Sequence, residues 1–119
     1  MITTQHLAIT YGQADKIKSG LIWVSQTLQI SAAMPPVEQK GAETIVQHIL
    51  GMVADEIHMI ARIGQGALWQ EAAADVDKAL VMMRSGVPGE AVHHLTHAVS
   101  AVTSIAGRAM AMLQEGQEA

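Results

Sequence analysis

Three breaks in an otherwise helix-patterned chain, Met34-Pro35-Pro36, Gly64-Gln65-Gly66 and Ser85-Gly86-Val87-Pro88-Gly89, most constrain what these 119 residues can form. Proline withholds an amide donor and crowds the preceding turn, and glycine tolerates the left-handed backbone that ends a helix. Each break therefore stops one helix and starts another. Four helical segments joined by short connections run antiparallel to their sequence neighbours. The expected fold is an all-α, up-and-down antiparallel four-helix bundle, with loops near 34–36, 64–66 and 85–89, in a single domain over residues 1–119.

Each segment carries an apolar stripe at helical spacing. From about Thr3 to Ala33 the stripe is Leu7, Ala14, Ile17, Leu21, Val24 and Leu28, with Thr3 or Thr4 as the N-terminal cap. The second segment starts at the prolines, with Pro36 in a first-turn position and Glu38 at the positive end of the helix dipole. Its expected inward stripe is Ala42, Ile45, Val46, Ile49, Met52, Val53, Ile60 and Ile63, and it stops at Gly64. The third, Ala67 to Ser85, turns Trp69, Ala72, Val76, Ala79, Leu80 and Met83 inward and is capped by Gly86. The fourth follows Pro88-Gly89 and carries Val92, Leu95, Val99, Val102, Ile105, Ala109 and Met112 as far as Gly116, leaving Gln117-Glu118-Ala119 to fray.

Half of the residues are hydrophobic and only 15% are charged, which is enough apolar material for a packed core. Aromatic residues make up 3% and phenylalanine is absent, so the core is expected to consist of Leu, Ile, Val, Ala and the eight methionines. A net charge of -4 with scattered Lys and Arg argues against nucleic acid as a partner. The absence of cysteine excludes disulfides, thiolate metal sites and a cysteine nucleophile, and permits a reducing compartment. The amino terminus lacks the basic patch and apolar run of a secretory signal, and Lys18, Asp55, Glu56, Arg62 and Arg108 break every apolar stretch before it reaches bilayer length. A cytoplasmic protein with no membrane span is expected.

Trp23 falls almost opposite Leu21 on the first helix and shares its outward face with Ile30 and Met34. A second apolar stripe on one helix marks an interface, and a chain this small gains useful burial by pairing. Trp23, Ile30 and Met34 are the expected contact residues of a homo-oligomer, with a dimer favoured.

Glu56 projects near Ile49 and between Val53 and Ile60, along the stripe assigned to the core. An inward carboxylate needs partners. Thr10 and Gln13 of the first segment lie near its level and can donate to it, with Lys16 farther away, making a buried polar layer that fixes register.

Three of six histidines cluster in His93-His94-Leu95-Thr96-His97. His93 and His97, at i and i+4, present two imidazoles on one face at a spacing that chelates a transition metal, with His94 and His48 on flanks of their helices. Two ligands do not complete a site. The pairs Asp55 with His58 and Glu90 with His93 share the i, i+3 spacing of di-iron bundles, but antiparallel order places His58 and His93 toward opposite ends and the first segment supplies no glutamate.

The stretch His93-His94-Leu95-Thr96-His97-Ala98-Val99-Ser100-Ala101-Val102 resembles the phosphoaccepting helix of histidine kinases and histidine phosphotransfer proteins. That resemblance implies a helical bundle with His93 as phosphoacceptor and Leu95, Val99 and Val102 packed beneath it. Thr96 takes the place of the basic residue those families generally carry.

No phosphate loop, nucleophile elbow or paired carboxylates occur, and Asp75 and Asp77 point to different sides of their helix as solvated charges. The sequence thus points to a non-catalytic bundle that associates with itself or with a partner protein and needs no cofactor. Phosphotransfer through His93 and a histidine-based metal site are the alternatives.

Overall fold

A computed structural model describes residues 2–63 and 66–118. It consists of four helices, α1 (Thr4–Ser31), α2 (Pro36–Ile63), α3 (Ala67–Arg84) and α4 (Pro88–Glu118). α1 packs against α2 and α4, and α3 packs against the same two helices, while the diagonal pairs hardly meet. This is the closed square of an up-and-down four-helix bundle, elongated to 57 × 23 × 18 Å.

The breaks act as their chemistry demands. Thr3 caps α1, its Oγ1 accepting from the His6 amide at 3.0 Å. α1 then runs without interruption through Gly20 to Ser31, whose buried hydroxyl donates to the Leu28 carbonyl at 2.7 Å. Pro36 opens α2, and the Gln39 amide donates back to the Pro35 carbonyl. Of the second connection, Gly64 and Gln65 lie outside the described residues; Gly66 has φ +110°. α3 ends in a Schellman motif: Gly86 at φ +81° lets its own amide reach the Met83 carbonyl and the Val87 amide reach that of Met82. α4 starts two residues earlier than expected, at Pro88, and continues two residues past Gly116.

The core runs the length of the bundle. α1 supplies its larger side chains, Ile17, Leu21, Val24 and Leu28, and α3 buries Trp69, Val76, Leu80 and Met83, as the periodicity predicts. Eight of the eleven buried alanines (Ala72, Ala73, Ala79, Ala91, Ala98, Ala101, Ala106 and Ala109) lie on α3 and α4. Small side chains let helix axes approach to the short end of the usual 8–10 Å range, so α3 and α4 close on each other with few bulky residues.

α2 departs most from expectation. Its buried residues are Val46, Leu50, Ala54, Ile57 and Ala61, with Val53 and Ile60 packed at the edge. Ile45, Ile49, Met52 and Ile63, assigned to the core by periodicity, are exposed. The reason is that α2 carries two adjacent apolar stripes. Together they span more than the face a single core covers, and the bundle buries the one containing leucine and alanine. The methionines are corrected with them: among the described residues Met83 is buried and Met82 packs against the core, whereas Met34, Met52, Met59 and Met112 are exposed.

Candidate interaction surface

A step of seven residues turns a helix to within about 20° of two full turns, so residues seven apart share a face. On α1, Ile9, Lys16, Trp23 and Ile30 form such a row; on α2 the matching row is Ala42, Ile49, Glu56 and Ile63, flanked by Ile45, Met52 and Met59. One contact ties the rows together. Lys16 Nζ donates to Glu56 Oε1 at 2.6 Å across the outer edge of the α1/α2 pair. Stepping seven residues in opposite directions along antiparallel helices keeps the level, so Trp23 shares its level with Ile49, and Ile9 with Ile63. Gly20 leaves room between the helices, with Val53 Cγ2 at 3.7 Å from the position of an added Cβ.

The outcome is a run of exposed apolar side chains along the outer side of α1 and α2, with the Lys16–Glu56 ion pair among them and Met52 at the edge where α2 meets the groove toward α3. Trp23 is 67% exposed, Ile30 63% and Met34 38%. Among the described residues, eleven of the fourteen large hydrophobic side chains that stand exposed lie between residues 2 and 63, and only Val81, Val87 and Met112 belong to α3, α4 or their connection. Sequence reasoning identified the α1 half of this face and misassigned the α2 half to the core.

Glu56 is the second correction. Its carboxylate is 34% exposed, on the outer row and not in the interior, and its partner is Lys16 and not Thr10 or Gln13. Having placed the α2 stripe inward, the sequence reading carried Glu56 with it. Thr10 is half-buried, and Gln13 turns a buried, unpaired Oε1 into the helix packing.

The opposite side of the molecule is polar. His93 and His97 are exposed on α4 with ring centroids 4.8 Å apart, and His94 meets His93 edge-on at 5.6 Å. His97 lines a shallow groove of about 550 Å³ between α3 and α4, together with Glu71, Asp75, Lys78 and Ser100. Lys78 is the one lysine or arginine of that lining, which also holds the two carboxylates. Leu95 and Val102 are buried beneath the histidines and Val99 is packed at the edge. The Thr96 hydroxyl is spent on the Val92 carbonyl.

His48 is remote from this cluster. It lines a second open groove, about 660 Å³ between α2 and α3, with Asp55, His58, Asp77 and Arg84. There His58 Nε2 contacts both Asp77 oxygens, at 2.8 and 3.0 Å. Sequence reasoning missed this pairing and left Asp77 as a solvated charge, because it joins residues nineteen positions apart on different helices. No group of three or more His, Asp or Glu side chains able to hold a metal ion occurs among the described residues. No helix among them is long and apolar enough to cross a membrane.

No protein family matches this chain, and no curated protein or solved structure is significantly similar to it.

Proposed function

We propose that the protein is a non-catalytic helical module, working in the cytoplasm, that acts by association through the outer face of α1 and α2, with a second copy of itself as its first partner. The observation that carries this reading is the exposure of Trp23, Ile30, Ile45, Ile49, Met52 and Ile63 on the outer side of two adjacent helices. Scattered surface hydrophobics are ordinary; large side chains aligned in rows on two adjacent helices are not.

Size supports the reading. A 28-residue helix is about 42 Å long, and two side by side present a face about 20 Å wide. The resulting footprint of roughly 800 Å² is what one partner contributes to a standard protein interface. The composition fits as well: aromatic, methionine and isoleucine side chains fill the face, and its charges are few.

The test is the mass in solution across a dilution series. The reading predicts twice the 12.6 kDa of the chain at micromolar concentration, falling to one chain in Trp23→Glu. A native chain that stays monomeric at the highest concentration removes self-association.

A further inference from the structure

We propose that two copies pair about a two-fold axis parallel to the helices, so that α1 of one copy lies over α2 of the other and Lys16 meets Glu56 of the partner subunit. The inference rests on the proposed association and adds its geometry, which the charges on the face decide.

Between Ile9 and Ile30 on α1, and between Ala42 and Ile63 on α2, the two rows hold one charge each, Lys16 and Glu56, standing side by side at the same level. Two identical faces can close by a two-fold axis that runs either along the helices or across them within the interface. An axis across the helices lays α1 on α1 in the opposite direction. With that axis at the level of the ion pair, Lys16 lies over the partner's Lys16 and Glu56 over the partner's Glu56. With it at the midpoint of the rows, Lys16 lies over the partner's Trp23 and Glu56 over the partner's Ile49. The charges are either set against their like or desolvated with no partner across the interface, and both are costly.

An axis along the helices exchanges left and right and keeps every level. Lys16 then faces the partner's Glu56, Glu56 faces the partner's Lys16, and the four charges alternate in sign around a square. The same operation keeps the apolar register: Trp23 over the partner's Ile49, Ile9 over the partner's Ile63, and the larger Ile30 over the small partner's Ala42. The contacting helices are antiparallel, as they are within each copy, so the side-chain rows that fit α1 to α2 inside one chain are presented again between chains. The ion pair inside one copy, half in water, becomes the register mark of the dimer.

The absence of cysteine makes the test clean. Thr27 and Ile45 are both exposed and share a level, whereas Thr27 and His6 are the pair brought together by the other axis when it passes near the level of Lys16. Single variants are mixed and oxidised, so that any disulfide between different variants joins two chains and appears as a covalent dimer. The expected result is efficient cross-linking of Thr27→Cys mixed with Ile45→Cys, and none in the mixture of Thr27→Cys with His6→Cys. Cross-linking of the second mixture, of both, or of neither in a protein that sediments as a dimer overturns the axis while leaving self-association intact. A monomer by sedimentation overturns the association itself, so the two failures are distinguishable.

Discussion

α2 and α3 use their apolar residues in opposite ways. α3 buries seven residues in an 18-residue helix, three of them alanines. α2, at 28 residues, buries five, and its first ten residues contribute none, although it is the richer of the two in isoleucine and valine. A helix that held the bundle together by bulk would turn these side chains inward. α2 turns Leu50 and Ile57 in and sets Ile45, Ile49, Met52, Met59 and Ile63 out beside Trp23, so the stability of the fold and the exposed surface reside in different faces of one helix.

Truncating each face of α2 in turn breaks or sharpens that contrast. Leu50→Ala, at a fully buried position, is expected to lower the unfolding free energy by about 3 kcal/mol in urea denaturation, through lost transfer energy and a residual cavity. Ile49→Ala, one residue away, is expected to change the stability of the dilute chain by less than about 1 kcal/mol. Equal losses at both positions would mean that Ile49 belongs to the core after all.

Next in size is the paired change Ile49→Glu with Met52→Glu, read as association. Placing two carboxylates in the apolar face is expected to cost at least about 2 kcal/mol of dimer stability, roughly a thirtyfold rise in the dissociation constant by analytical ultracentrifugation, with the helical circular dichroism unchanged. A smaller effect is expected at Gly107, an exposed glycine inside α4 where an added Cβ meets nothing within 4 Å. Gly107→Ala should raise stability by about 0.5–1 kcal/mol in thermal melts, through helix propensity alone, and leave the mass unchanged. Smallest of all is the polar side: His93→Ala with His97→Ala removes two exposed imidazoles and is expected to shift neither the dissociation constant nor the melting temperature measurably.

How legible this was in the sequence follows from what each signal encodes. The boundaries came through because Pro36, Gly86 and Pro88 act locally, on their own turn of backbone. The inward stripe of α3 came through because that helix has one face plainly more apolar than the rest, and that of α1 because its two apolar rows, those of Leu21 and Trp23, lie on nearly opposite sides. α2 has two such faces, and periodicity measures spacing without saying which of two equally spaced rows meets the core. Glu56 was the clue that was misread: on the row 42, 49, 56, 63 a carboxylate was treated as a polar layer in the interior, when it marked the row that stays in contact with water. The His58–Asp77 pairing was not legible at all, since it depends on the rotation of α2 against α3 and not on any spacing along the chain.

The central claim is that the outer face of α1 and α2 is an interface, and light scattering on the native chain beside Trp23→Glu tests it most directly. The account predicts a native mass of two chains, a Trp23→Glu mass of one chain of 12.6 kDa, and equal helix content in both. Two proteins of the same mass, whether both monomeric or both dimeric, would contradict it.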